Sequence, residues 1–263
     1  MKVMGKREGK RSPEKIISVA TVALLILLWY LATKLGWVND KLIPSPREVW
    51  EAFLEVCKDY KNYSLLEHVG TSMKRLFTAF GFALVIGIPL GLLSGFSKYV
   101  RAAIEPIIGF YRPLPPLAYY TLLTLALGIG DESKIALLFL ACFAPIYIAC
   151  VSAVLRIKPD YINSAYTVGA NKLQVFVTVI FPSCLPDMFV GVRTAVGVAY
   201  TTLVAAEMVA ATSGIGWMVL DAGNWFRNDI IFVGIIIMGI TGLLIDWGLK
   251  YLEKKLVPWS GKD

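Results

Sequence analysis

The chain has 263 residues, of which 57% are hydrophobic and 17% are charged, and its formal net charge is +7. The mean hydropathy of +0.64 excludes an ordinary soluble domain, which needs a charged surface that a membrane protein replaces with lipid contact. The basic excess stands in short runs beside apolar stretches, MKVMGKREGKR at the start and KYLEKKL near the end. That distribution argues against nucleic acid as a partner and favours a role in membrane orientation.

The first apolar stretch, from Ile16 to Leu35, is about as long as a bilayer is thick. A cleaved signal peptide has a shorter apolar core and a cleavage site of small residues, where this chain has Trp29 and Tyr30. We therefore predict a retained first transmembrane helix over residues 16–35, which follows a basic cytoplasmic N-terminus at residues 1–15.

Residues 36–75 form a long charged segment that we predict to lie outside the membrane. Within it, Ser45 and Pro46 supply an N-cap and a proline at the first helical position. Apolar residues then recur at helical spacing, at Val49, Phe53, Val56 and Tyr60. The pattern predicts an amphipathic helix on the outer membrane surface. A role for this helix in substrate recognition is an alternative that the sequence leaves open.

Further apolar stretches predict a five-helix transmembrane core within residues 76–250. The predicted spans are 76–96, 102–127, 134–155, 185–211 and 230–250. Basic residues gather in every second loop and near both termini, whereas the loops at 128–134 and 221–229 are acidic or balanced. By the positive-inside rule, both termini are then cytoplasmic, the C-terminus being residues 251–263. The predicted fold class is an all-α membrane protein with six transmembrane helices.

A glycine stripe marks the second span, where Gly87, Gly91 and Gly95 repeat every four residues. Such a stripe lets two helix backbones approach closely within lipid, because glycine has no side chain to keep them apart. We expect these glycines to serve helix packing within one subunit, and a helix of a partner subunit is the alternative.

The third span contains three prolines in the sequence FYRPLPPLAYY, at Pro113, Pro115 and Pro116. Proline removes a backbone donor and interrupts a helix. Non-helical backbone at membrane depth persists only where protein or a water-filled cavity surrounds it. We therefore predict that residues 110–120 line a translocation pathway, with Pro115 and Tyr119 among the pathway candidates.

Charged residues inside the spans mark function or pairing, because a lone charge in lipid is unfavourable. The candidates are Arg112, Arg193, Glu207 and Asp246. One interpretation is that they pair among themselves or with backbone and fix helix packing. The other is that some of them line the pathway: an anionic substrate favours Arg112 as a transient electrostatic partner, and Glu207 is then a gate or a counter-ion.

No catalytic or metal-binding motif stands out. The four cysteines, Cys57, Cys142, Cys150 and Cys184, have no CxxC spacing and are interpreted as small apolar filler. The single histidine, His68, is interpreted as satisfied or solvated rather than as a ligand or base. A phosphate loop of the form GxxxxGK[ST] is absent from the sequence, so we predict a non-catalytic subunit without a cofactor of its own. A channel or an intramembrane enzyme is the disfavoured alternative.

The polar stretch between the fourth and fifth spans has a distinctive skeleton. It reads NSAYTVGANKLQVFVTVIFP over residues 163–182: Ala165, three residues, Gly169, nine residues, and an apolar run that ends in Pro182. This skeleton resembles the EAA loop of ABC-importer permeases, from which it departs by Asn163 for Glu and Ser164 for Ala. The resemblance implies that residues 156–184 hold a cytoplasmic coupling helix that docks on an ATPase subunit.

On this resemblance, Asn163, Ser164, Ala165, Gly169 and Pro182 carry the docking. Gly169 permits a left-handed or tightly packed backbone between two short helices. Pro182 is expected to stop the coupling helix sharply before the fifth span.

The resemblance extends over nearly the whole chain. The segments YRPLPPLAY, LGIGDESK, VAAEMVAATSGIGWMV and LVPWSGK look like those of permeases from taurine, alkanesulfonate and nitrate importers. The VAAE-to-GIGWMV stretch and the PWSG end favour taurine permeases within this group, and the implied fold is that of the methionine-importer permease. The implied function is the passage of a small anionic or zwitterionic sulfonate, with nitrate, bicarbonate or a thiamine precursor as alternatives.

The implied assembly lies in a bacterial plasma membrane. It contains two copies of this permease, two ATPase subunits that bind ATP and magnesium, and one extracytoplasmic substrate-binding protein.

Overall fold

The computed structural model describes residues 13–39 and 42–259. The predicted N-terminal segment 1–15 therefore lies mostly outside the described residues, as does the end of the predicted C-terminal segment 251–263. Within the described ranges the chain forms eleven α-helices, one π-helical turn and no strand. The helices are α1 Pro13–Lys34, α2 Pro46–Lys58, α3 Leu65–Phe96, α4 Lys98–Tyr111, α5 Pro116–Leu127, α6 Asp131–Leu155, α7 Pro159–Thr167, α8 Lys172–Val175, α9 Phe181–Ala210, α10 Ile215–Asn224 and α11 Asn228–Leu256, and the π-helical turn is Phe176–Ile180.

In this part of the chain, five helical stretches are long and apolar enough to cross a membrane. They are Ile16–Lys34, Leu65–Phe96, Asp131–Leu155, Lys172–Ala210 and Asn228–Leu256. The remaining predicted span, 102–127, is divided into α4 and α5 with residues 112–115 between them. Pro116 begins α5 at a position where a helix needs no backbone donor, so the prolines account for the break.

The second span is longer than predicted because α3 begins at Leu65 instead of residue 76. Ser64 caps its first turn, since the Ser64 hydroxyl accepts from the Glu67 N–H and the Glu67 carboxylate accepts from the Ser64 N–H at 2.7 Å. The first turns of α3 contain polar residues that lower the local hydropathy, so an apolar window does not indicate this start.

The main core lies between α3, α6 and α9. A β-carbon built on Gly91 would stand 2.6 Å from the Cys150 Cβ and 2.9 Å from the Tyr147 carbonyl oxygen. Gly87 and Gly95 face Ile146 and Val154 of the same helix, α6. The glycine stripe thus lies where α3 and α6 of one chain approach each other at backbone distance.

The amphipathic helix α2 is covered by protein on its apolar face. Its buried residues Val49, Ala52 and Val56 pack in one cluster with Met218 of α10 and Ile230 of α11. We predicted this face to lie on the membrane surface, and the structure places it against α10 and α11 instead. Helical spacing identifies an apolar face, but it does not reveal whether lipid or protein covers that face.

Polar contacts also tie the same region together. The Tyr60 hydroxyl donates to the Asp221 carboxylate at 2.8 Å, and burial together with this hydrogen bond raises the pKa of Tyr60. Arg227 binds Glu55 of α2 at 2.7 Å and Asp229 at 2.9 Å, and these hydrogen bonds raise the pKa of Arg227. The segment between α10 and α11 is therefore held to α2 by one ion pair, Arg227–Glu55.

The bundle has two distinct ends. What we call the α7 end consists of α7, α8, the start of α9 and Trp259, which lines a groove with residues of α7. What we call the Glu207 end consists of the start of α3, the start of α6, the end of α9 and the start of α10, where Arg75, Asp131 and Glu207 meet.

Candidate functional site

Helix α7 carries three of the predicted docking residues, Asn163, Ser164 and Ala165. None of the residues of α7 is buried. Asn163 and Ser164 are exposed, and Ala165 is half-buried against the main core. The helix therefore stands on the surface of the α7 end, where a partner can reach it.

Gly169 makes the turn that follows α7. Its φ is +86°, and its N–H donates to the Tyr166 carbonyl at 3.0 Å. A β-carbon at this position would meet no atom within 4 Å. The backbone conformation, rather than a lack of space, thus makes glycine the favoured residue here.

Pro182 does not stop a helix, so the sharp stop that we predicted is wrong. The π-helical turn Phe176–Ile180 joins α8 to α9, and the helical stretch continues from Lys172 to Ala210. The Phe181 N–H bonds to the Phe176 carbonyl with the wider spacing of that turn, so Pro182 lies in the first turn of α9, where a missing donor is tolerated. The Ser183 hydroxyl satisfies the Val179 carbonyl at 2.6 Å.

A groove of 1120 Å³ separates α7 from the start of α9. We call it the loop groove. Ser164, Ala165 and Pro182 line it together with the end of α6 and Trp259. The structure thus brings three of the five predicted docking residues to one groove, whereas Asn163 and Gly169 lie outside its lining.

A second cavity, of 520 Å³, lies between the break of α4 and α5, residues 140–156 at the end of α6, and residues 187–198 of α9. We call it the central cavity. Arg112 and Tyr119 line it, and Pro115 lies exposed in the same break. The lining further includes Tyr111, Ser152, Arg156, Asp187 and Thr194. The predicted pathway residues of the third span therefore lie at a cavity that extends towards the α7 end.

Glu207 lies apart from this cavity, in a buried group of polar side chains at the Glu207 end. Its carboxylate accepts from Arg75 at 2.8 Å, from the Ser72 hydroxyl at 2.8 Å and from the Gly216 N–H at 2.9 Å. Arg75 also binds Asp131 at 2.7 Å. Glu207 thus pairs with Arg75, which is not one of the four predicted charges, and with the backbone of Gly216. Its role as a gate or counter-ion stays a prediction.

The loop between α9 and α10 closes over the same group. The Ser72 hydroxyl accepts from the Ile215 N–H at 2.9 Å, and His68 Nδ1 accepts from the Gly214 N–H at 3.1 Å. Gly214 has a φ of +123°, and a β-carbon there would collide with the Glu207 carboxylate. This geometry explains the TSGIG sequence after α9, since the backbone donors of these residues complete the group.

We name this arrangement the polar cluster and define it as His68, Ser72, Arg75, Asp131, Glu207 and residues 213–216. His68 makes a second contact, from Nε2 to the Tyr60 carbonyl at 3.3 Å, so the interpretation of His68 as a satisfied histidine is confirmed. Ser72 and Arg75 were missed by sequence reasoning. Their signal is the spacing of His68, Ser72 and Arg75, which places three polar residues on one face of a helix.

Arg193 and Asp246 pair with each other, as one of the two interpretations of the intramembrane charges expected. The two side chains lie 3.1 Å apart, and Arg193 also contacts Glu253 at 3.4 Å.

Four cysteines are free, with Cys57 exposed and the other three buried. Throughout residues 13–39 and 42–259, no group of three or more His, Cys, Asp or Glu side chains is placed to hold a metal ion.

A bundle of long apolar helices, with a short exposed helix at one end, defines a multi-pass membrane protein. The chain belongs to the family described as the inner membrane component of binding-protein-dependent transport systems, whose family model matches residues 87–258.

Three relatives are similar to this chain over nearly its whole length. The taurine transport system permease protein of Escherichia coli is 37% identical over 95% of this chain and 92% of its own length. An aliphatic sulfonates transport permease protein of Bacillus subtilis is 30% identical, over 97% and 91%. A nitrate import permease protein of Synechocystis is 31% identical, over 95% and 92%.

A solved structure shares the fold. It is an inward-facing form of the MetNI methionine ABC transporter, with a TM-score of 0.62 and 19% identity over 73% of this chain and 95% of that chain. The expected likeness to a methionine-importer permease is therefore confirmed for the fold.

Proposed function

We propose that this chain is the permease subunit of an ATP-driven importer that passes a small sulfonate, taurine, from an extracytoplasmic binding protein into the cytoplasm. The observation that carries the proposal is the exposed helix α7 in a chain of this transport family. A helix without a buried residue on an otherwise packed bundle has a surface free for a partner. The name of the E. coli relative supports the choice of taurine.

In this proposal, α7 docks on an ATPase subunit, and two copies of the permease present one α7 each to two ATPases. ATP and magnesium bind on the ATPases, and this chain contributes no catalytic group. The α7 end then faces the cytoplasm together with both termini, in a bacterial plasma membrane. The basic runs at the two termini support this orientation, because positive charge favours the cytoplasmic side.

The central cavity is the proposed passage. Its 520 Å³ lie within the range of small-molecule sites. Among the described residues Arg112 forms no ion pair, so its charge is available to a sulfonate. The lining also contains Asp187, which pairs with Arg156 at 3.3 Å, so the unpaired charge that the cavity offers to a substrate is that of Arg112.

The test begins with the assembled transporter. This chain is co-expressed with an ATPase subunit and a binding protein, purified by a tag on the permease and reconstituted in proteoliposomes. We expect binding protein loaded with taurine to stimulate ATP hydrolysis and to drive taurine uptake. Binding protein without ligand, and an ATPase that cannot hydrolyse ATP, are the controls.

Two other results are informative. Stimulation by nitrate rather than by taurine would show that the protein is an importer permease with nitrate as its substrate. Nitrate is the second candidate because of the similarity to the nitrate permease. Failure of any ATPase to co-purify with the permease would contradict the proposed coupling role of α7.

A further inference from the structure

The first turns of α9 contain two prolines, Pro182 and Pro186. The π-helical turn Phe176–Ile180 precedes them, and Pro182 and Pro186 follow at a spacing of one turn. Each proline lacks a backbone donor, and π-helical turns widen the helix locally. We therefore expect residues 176–186, the π-helical turn and the first turns of α9, to be the part of this helical stretch that bends most easily. They directly follow α8.

One ion pair joins α6 to α9 at the residue that follows this segment. Arg156 caps the end of α6, immediately before α7, and Asp187 follows Pro186. The Arg156 Nη1 atom lies 3.3 Å from both carboxylate oxygens of Asp187. The contact therefore connects the two helices that enter and leave the α7–α8 loop.

The pair stands between the two cavities. Arg156 and Asp187 line the central cavity, and both also line the loop groove. One helical turn from Asp187, α9 meets α6 at backbone distance, because a β-carbon on Gly191 would collide with Ala149. The close contact at Gly191 fixes the crossing of α6 and α9, so separation of Arg156 from Asp187 would open the central cavity at the α7 end.

We propose that the Arg156–Asp187 ion pair is a latch between α6 and the start of α9, which closes the α7 end of the central cavity and transmits movement of α7 to it. This inference rests on the proposed function, since it assigns residues to the coupling of ATP hydrolysis to passage. Both are positioning residues: they act through the helices that they join. An exposed ion pair suits this purpose because it contributes little to stability and opens readily.

The test uses charge reversal in the reconstituted transporter with taurine-loaded binding protein. The variants are Arg156→Asp, Asp187→Arg and the double reversal. We expect each single reversal to retain ATP hydrolysis while the ratio of taurine transported to ATP hydrolysed falls roughly fivefold or more, as for a typical coupling energy between two sites. The double reversal restores the ion pair with opposite polarity and is expected to recover most of that ratio.

Matched controls separate the latch from a general effect of charge. Arg47 and Glu51 form an exposed ion pair on α2, at 2.8 Å, away from both cavities. Reversal of Arg47 and of Glu51, singly and together, is expected to leave the transport-to-hydrolysis ratio unchanged. If a single reversal at the latch prevents assembly, the milder Asp187→Asn variant replaces it, with the same fall in the ratio expected.

A wild-type ratio in single reversals that assemble normally would overturn the latch, as would a double reversal that transports no better than the singles. Either result leaves the proposed function intact, because wild-type protein still responds to taurine. Failure of the wild-type transporter to respond would count against the proposed function itself.

Discussion

At the Glu207 end Arg75 and Glu207 are buried and bonded to each other, whereas at the α7 end Arg156 and Asp187 face solvent. The Arg75 and Glu207 side chains are 5% and 0% exposed, and those of Arg156 and Asp187 are 72% and 38% exposed. Removing one member of a buried ion pair leaves a charge without a partner, but an exposed charge regains water. The bundle is therefore fixed at the Glu207 end and able to change at the α7 end.

This difference suits a transporter in which an ATPase subunit acts on one end of the bundle. The polar cluster joins α3, α6, α9 and α10 through side chains and through backbone donors of the loop after α9. The α7 end has an open groove and a helix that packs through no buried residue. Movement that begins at α7 can then change the central cavity without unfolding the opposite end.

The largest loss of stability is expected for Arg75→Met. The change leaves Glu207 buried without its cation and removes the partner of Asp131, so we expect a loss of roughly 3–5 kcal/mol. Thermal unfolding of the purified transporter in detergent measures it. Arg47→Met on α2 is the control, because its ion pair is exposed and its loss is expected to change the unfolding temperature little. Equal losses of stability in the two variants would contradict the proposed difference between buried and exposed ion pairs.

A smaller loss is expected for Ser72→Ala. The Ser72 hydroxyl donates to Glu207 and accepts from the Ile215 N–H, and its removal leaves buried partners unsatisfied at a cost of roughly 1–3 kcal/mol. Ser183→Ala is the matched change at the α7 end, where the exposed hydroxyl binds one carbonyl and the expected loss is about 0.5 kcal/mol or less. A larger loss for Ser183→Ala would reverse the proposed difference between the ends.

Gly169→Leu is expected to reduce stability modestly and to abolish transport. A left-handed backbone at a leucine is unfavourable by roughly 1–2 kcal/mol, and we expect the altered turn to misplace α7 on the ATPase while membrane insertion stays normal. Gly36→Leu is the control, because Gly36 also has a positive φ, of +67°, with no atom near its β-carbon. Taurine uptake by the two variants is compared, and normal uptake with Gly169→Leu would contradict the coupling role.

The smallest loss is expected for Asp246→Asn. This change weakens the contacts of residue 246 with Arg193 and with Lys250, which lies 2.6 Å from the Asp246 carboxylate. Because Glu253 stays within 3.4 Å of the same guanidinium, we expect only a small decrease in the unfolding temperature. The same thermal unfolding assay measures it beside Arg75→Met. A loss as large as that of Arg75→Met would show that partly exposed ion pairs also fix the bundle.

Local patterns in the sequence predicted local features. The spacing from Ala165 to Pro182 located the exposed loop, and the prolines after Arg112 located the break between α4 and α5. Both features depend on neighbouring residues, so a linear pattern contains the information.

The polar cluster could not be predicted in this way. Ser72 and Arg75 are separated from Glu207 by more than 130 residues of sequence, so the pairing follows from the packing of α3 against α9. The sequence also predicted a stop at Pro182, where the helical stretch continues from the π-helical turn into α9. A π-helical turn leaves no distinct signal in sequence, so this continuation could not be predicted.

The most direct test of this account is hydrogen exchange in the assembled transporter, measured by mass spectrometry with and without ATP bound to the ATPase. Exchange reports the local opening of backbone hydrogen bonds, so it distinguishes a fixed end from a changing one. The account predicts that ATP changes exchange in residues 156–187 and leaves residues 207–218 unchanged. Equal changes at both ends, or changes confined to residues 207–218, would contradict it.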